Sequence, residues 1–183
     1  MITLAFDTST AVGSLALLRD DEPQIERTFG RDGLFPTLAA LKLDLRTVDL
    51  IAVGVGPGSF TGIRVGIAAA KGLALPGGIP IKAVSSFDAL AVTVAPQMPA
   101  ECAQMCVLSD ARRGEIYYAL YDRTGRLMQE CRIGTMAGIP GDAWRVWPEK
   151  EQCRWAAAVG RLARTSDLKL EPLYLRPTQY KKL

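Results

Sequence analysis

The sequence predicts an α/β protein of two lobes with mixed sheets, and three observations carry that prediction. Short β-branched or apolar runs alternate with helical stretches. A proline-rich link, Pro96-Gln97-Met98-Pro99, reads as a hinge near the middle of the chain. An offset of 103 positions (110 minus 7) lays Phe6-Asp7…Ala16-Leu17-Leu18 over Ser109-Asp110…Ala119-Leu120-Tyr121 without a gap. Each half then reads strand, Asp-containing turn, strand, turn, strand, followed by helices. The expected division is 1–96 for the first lobe and 97–183 for a smaller second one.

The elements follow in order. Strands are expected at Ile2–Phe6, Ser14–Leu18, Gln24–Thr28, Leu50–Val55, Ile79–Val84, Cys106–Leu108, Ile116–Tyr121 and Leu127–Ile133. Helices are expected over about Leu34–Leu45, over Thr61–Leu75 with a stop at Pro76-Gly77-Gly78, from Ser85 or Ser86 to Ala95, and over about Cys153–Arg164. Pro36 fits only near the start of the first helix, where its missing N–H matters little.

Composition narrows the chemistry. The 183 residues are 49% hydrophobic and 22% charged with net charge +3, as in an ordinary globular protein, and no dense Lys/Arg run marks a nucleic-acid site. No leader-like pattern precedes Ile2 and no apolar run reaches spanning length, so a cytoplasmic chain without membrane contact is expected. The four cysteines form no Cys-x-x-Cys pair and read as reduced thiols. Zero histidines exclude His-based triads and His-ligated metals, and no metal site is expected.

Two segments can face a phosphate. Asp7-Thr8-Ser9-Thr10 at a strand end can present hydroxyls and backbone N–H groups, although the same residues suit a plain hairpin turn, which is the favoured reading. Gly56, Gly58, Ser59 and Thr61 belong to the Gly-rich stretch Gly54–Gly62, which joins a strand to a helix and can make an anion site or merely a tight connection. It is not a Walker loop, because Ile63-Arg64 follows Gly62. In the second half, Asp110-Ala111-Arg112-Arg113-Gly114-Glu115 places two bulky cations where close backbone approach to a phosphate needs glycine.

The helix from Thr61 to Leu75 carries only Arg64 and Lys71 as charges. Ile63, Ile67, Ala70 and Ala74 form an apolar stripe, beside a small-residue surface of Gly62, Gly66 and Ala69. The preceding helix adds Leu34, Leu38, Leu41 and Leu45 in one stripe. Helices so poor in polar faces should be buried nearly all round, and small residues admit a second helix. Leu34, Leu38, Leu41, Gly62, Gly66, Ala69 and Ala70 are therefore the expected partner-binding residues, against the alternative that one sheet buries both helices. The tail, with Arg176, Lys181 and Lys182 among aromatics, suits RNA contact by charge and stacking, or a solvated terminus.

Asp7-Thr8-Ser9, the block Gly54-Val55-Gly56-Pro57-Gly58-Ser59-Phe60-Thr61-Gly62-Ile63-Arg64, Asp110–Tyr117 and Leu173-Tyr174-Leu175-Arg176 resemble, in that order, the bacterial TsaB (YeaZ) family. The resemblance implies the two-lobe ASKHA fold of actin and hexokinase, with duplicated βββαβα halves and here a truncated second lobe. It implies a non-catalytic subunit in forming threonylcarbamoyl-adenosine next to the tRNA anticodon. Its partners would be a TsaD-like catalytic subunit, a TsaE-like ATPase and, through the complex, tRNA. The family's first two helices make the TsaD contact or, when the chain is alone, a homodimer. No cofactor is required on this reading, and a nucleotide at the subunit contact is left open. The stretch Glu26–Leu50 is compressed against the family and lacks its usual histidine. The competing reading is an active ATPase or small-molecule kinase on the same fold; a glycoprotease reading is opposed by the absence of histidine.

Overall fold

The computed structural model describes residues 1–148 and 154–175. The first half runs β1 (Ile2–Asp7), β2 (Gly13–Arg19), β3 (Glu22–Phe29), α1 (Leu34–Ala40), β4 (Leu50–Gly54), α2 (Phe60–Ala74), β5 (Ile81–Val84) and α3 (Ser86–Val94). The second runs β6 (Gln104–Arg112), β7 (Glu115–Tyr121), β8 (Leu127–Gly134), β9 (Ala143–Val146) and α4 (Ala156–Leu162).

The first sheet has the order β3-β2-β1-β4-β5, with β1, β2 and β3 antiparallel, β4 parallel to β1 and β5 parallel to β4. The second has the order β8-β7-β6-β9, with β9 parallel to β6. The strand order of the second sheet thus repeats that of the first, and the duplicated, two-sheet fold expected from the sequence is present with its second half truncated. Only a 3-10 turn at Met136–Gly138 lies between β8 and β9, where the first half has α1. The full βββαβα pattern is therefore confined to the first half among the described residues.

Alternation along the strands sets the layers. Leu4, Phe6, Leu15, Ile51 and Val53 point to the face covered by α1 and α2, in one core with Leu34, Ile63 and Ile67. Ala5, Ala16, Leu18 and Ala52 point the other way, into a core shared with α3, α4 and Val107, Ala119 and Tyr121 of the second sheet. Small residues on both sides bring α4 close to the first sheet. A Cβ on Gly160 would sit 2.6 Å from Leu18 Cδ1 and 3.3 Å from the Ala5 Cβ. The second half of the sequence thereby completes the core of the first.

Candidate functional site

Local chemistry fixes where the two expected phosphate segments meet. Asp7 ends β1 fully buried, and its Oδ1 accepts from the Ser9 N–H at 2.7 Å, closing an Asx-type turn. Thr8 Oγ1 donates to the Gly62 carbonyl at 2.7 Å, and the Ser59 N–H donates to the Ser9 carbonyl at 2.6 Å. The hairpin turn and the Gly-rich loop are thus laced together. Gly56 adopts φ +96, which a side chain would strain, and its N–H donates to Ser86 Oγ at 3.0 Å. Ser59 Oγ caps α2 by accepting from the Gly62 N–H at 3.2 Å.

A cleft of about 950 Å³ opens over these loops, lined among others by Ser9, Thr10, Arg31, Ser59, Thr61 and Arg112. Two of the hydroxyls that would serve a phosphate donate to backbone carbonyls instead, Thr8 as above and Thr10 Oγ1 to the Val12 carbonyl at 2.7 Å, while Ser59 Oγ accepts at the helix cap. Asp7 Oδ2 and Ser9 Oγ are buried without a hydrogen-bond partner. From the second half, Asp110 Oδ1 accepts from the Arg112 N–H at 2.7 Å, and its Oδ2 pairs with Arg112 Nη1 at 3.2 Å. Arg112 and Arg113 hold φ +67 and +60, so this turn keeps two bulky cations in a conformation that favours glycine. Among the described residues no cluster of three or more acidic or cysteine side chains can hold a metal. Burial pushes the Cys106 and Cys131 thiols up to about 12, which leaves neither as an activated nucleophile.

The expected partner face needs correction. Leu34 is buried in the chain's own core, with Leu38 and Leu41 half-buried against it. Gly66, Ala69 and Ala70 are buried too. A Cβ on Gly66 would lie 2.5 Å from Thr8 Oγ1, and one on Gly62 would collide with the Thr8 carbonyl. The small residues thus admit the β1–β2 turn of the same chain, and the sheet takes the leucine stripe. The surface these helices leave open is a different one. Phe35 on α1 is 57% exposed, Phe60 on α2 is 55% exposed, and Val65 and Leu75 are exposed beside Arg64 and Lys71.

Arg64 organises part of that surface. Its guanidinium carbon lies 3.8 Å from the centroid of the Phe60 ring, and its Nε donates to Tyr174 Oη at 2.8 Å. Phe60 and Tyr174 stack at 5.7 Å. The Phe60/Arg64 pair was readable as an i, i+4 spacing, whereas the arrival of Tyr174 beside it was not. Arg176, Lys181 and Lys182 lie outside the described residues.

Comparison with known proteins bears on these features. The family model for TsaD, described as tRNA N6-adenosine threonylcarbamoyltransferase, matches residues 35–143. The tRNA threonylcarbamoyladenosine biosynthesis protein TsaB of Escherichia coli is 34% identical over 175 residues, covering 81% of this chain and 74% of that protein. Its namesake in Haemophilus influenzae is 38% identical over 124 residues, covering 63% and 52%. The solved structure of YeaZ from Pseudomonas aeruginosa superposes with a TM-score of 0.73 at 27% identity, covering 90% of this chain and 92% of that one. The chain spans about half the length of several curated relatives that it matches, from 42% to 59%. With both the sequence and the two-sheet fold in agreement, the chain belongs to the TsaB (YeaZ) family.

Proposed function

We propose that this chain is the non-catalytic, activating partner of a TsaD-type catalytic subunit, in threonylcarbamoylation of the adenosine next to the anticodon of tRNA. The observation that carries the reading is the exposed Phe35/Phe60/Val65 face of α1 and α2, on a chain that belongs to this family. The cleft supports a non-catalytic role, since Thr8, Thr10 and Ser59 hydroxyls hold backbone groups and Arg112 lines the opening. A TsaE-type ATPase completes the complex on this reading, tRNA is reached through the assembly, and two copies pair in the absence of the catalytic subunit. The chain needs no cofactor of its own, and its place is the cytoplasm. Among the described residues no helix is long and apolar enough to cross a membrane, which fits that assignment.

Reconstitution tests the proposal. Modified adenosine is measured in tRNA incubated with the TsaD-type and ATPase subunits, with and without this chain. Strong dependence on the chain is expected, together with no ATP hydrolysis by the chain alone. Phosphate release by the isolated wild-type chain that vanishes in Asp7→Asn would replace this reading with the kinase-like one.

A further inference from the structure

A hinge between lobes needs backbone that is free to turn and a boundary that few contacts cross. Around Pro96–Pro99 the structure meets neither condition. After α3 the chain makes a 3-10 turn at Ala95–Gln97 and then runs on into β6. Arg123, from the turn between β7 and β8, spreads its guanidinium over that stretch. Nη1 donates to the Pro99 carbonyl at 2.9 Å and to the Cys102 carbonyl at 2.5 Å, and Nη2 donates to the Met98 carbonyl at 3.3 Å. The turn that carries Arg123 is itself fixed, because Asp122 Oδ1 accepts from the Thr124 and Arg126 N–H groups at 2.8 and 3.0 Å. It lies directly on α3, where a Cβ on Gly125 would come 2.8 Å from Val92 Cα. One residue before the turn, the buried Tyr121 donates from Oη to Asp88 Oδ1 of α3 at 2.7 Å. Elsewhere along the boundary α4 is tied to the β2–β3 hairpin. The Ala157 N–H donates to Glu26 Oε1 at 2.8 Å, and Arg164 Nε pairs with Asp21 Oδ1 at 2.7 Å.

We propose that the link is a fixed joint with Arg123 as its clamp, so that the two lobes keep one angle and the cleft over Ser9 and Ser59 keeps one width. A planar guanidinium suits the task, because its fork serves several carbonyls at once and stays charged at any physiological pH. Ties at separate places along the boundary resist rotation about more than one axis, since a movement that relieves one pulls on another. Closing one lobe on the other is the step by which two-lobed phosphotransferases enclose a nucleotide and expel water. A chain with a fixed joint forgoes that step, and its cleft offers a ligand only an open, preformed surface. The fixed angle goes beyond the proposed function, which sets no requirement on how the lobes move.

Nuclear magnetic resonance of the full chain tests the joint. Residual dipolar couplings and relaxation dispersion are measured for amides of both sheets in wild type, Arg123→Lys and Arg123→Gln. In wild type one alignment tensor, fitted to the structure, is expected to describe both sheets, with no microsecond-to-millisecond exchange at the boundary. The Met98 and Cys102 amides donate to the Ala95 and Pro99 carbonyls at 3.1 and 3.2 Å. In Arg123→Gln these two should exchange hydrogen at least ten-fold faster, while melting stays cooperative. Arg123→Lys keeps the charge without the fork and falls between the two. Separate tensors for the two sheets in wild type, or millisecond exchange spanning the link, would show a working hinge and overturn the proposal. Wild-type exchange rates at Met98 and Cys102 in Arg123→Gln would overturn the role of Arg123 as the clamp. Either result leaves the proposed function standing. ATP hydrolysis by a wild-type chain with one shared tensor would instead overturn that function and leave the joint.

Discussion

At Gly66 the absent side chain leaves room for Thr8, whose Oγ1 would lie 2.5 Å from an added Cβ and whose hydrogen bond to the Gly62 carbonyl laces the first turn to α2. Leucine there gains helix propensity but overpacks a buried contact, which commonly costs about 1–3 kcal/mol. Gly66→Leu should therefore lower the melting midpoint by about 2–10 °C, measured by circular dichroism. An unchanged midpoint with lost partner affinity would return Gly66 to the docking face. Buried titratable groups set a second expectation. Burial, with Asp88 adding to it, raises the Tyr121 hydroxyl above its ordinary range, and burial raises the Cys106 and Cys131 thiols from 9.0 to about 12. All three keep their protons in the fold after the unfolded chain has begun to release them. Stability from this source is complete below about pH 9 and is lost as pH rises toward 12. Urea midpoints should fall across that window, and the fall should be shallower in Cys106→Ala.

At the scale of elements, α2 depends on its cap. Replacing Ser59 by alanine removes the acceptor for the Gly62 N–H and should cost about 0.5–2 kcal/mol, read from urea unfolding. An equal midpoint in Ser59→Ala would mean that water replaces the cap. The cap was legible only as a choice between the Ser59 and Thr61 hydroxyls ahead of the apolar periodic run, and the fold uses Ser59; Ser85 before α3 likewise accepts from the Asp88 N–H. The end of α1 was not legible. Leucines continue to Leu45, but the helix stops at Ala40, Lys42 takes φ +48, and Asp44 caps a separate 3-10 turn. The hydrophobic period reports burial, and a turn lying on the same core shows it as well as a helix does. Strand β9 was hidden differently. Thr3 pairs with Leu50, and Cys106, at the offset of 103 from Thr3, pairs with Arg145; 145 minus 50 is 95, eight short of that offset. With no helix between β8 and β9, the repeat that revealed the first three strands pointed past the fourth. The candidate surface was half legible for a related reason. Periodicity found the faces that bury themselves in the chain's own sheet, whereas Phe35, Phe60 and Val65 stand out only once those faces are covered.

At the scale of the molecule, the core between the two sheets joins what the sequence divides. Ala5, Ala16 and Ala52 of the first half share it with Ala156–Val159 of the second. A chain shortened to end at Pro148, lacking α4, should therefore lose cooperative thermal unfolding of the first sheet, and a fragment of residues 1–96 should behave alike. Sharp melting of that fragment with native-like circular dichroism would show that the first lobe closes its own core. The position of α4 also has a temporal side. During synthesis the strands β1, β2 and β4 leave the ribosome roughly 100 to 150 residues before the helix that covers their alanine-lined face. For that interval the nascent first half exposes an apolar sheet surface, which a ribosome-associated chaperone is suited to shelter until α4 arrives.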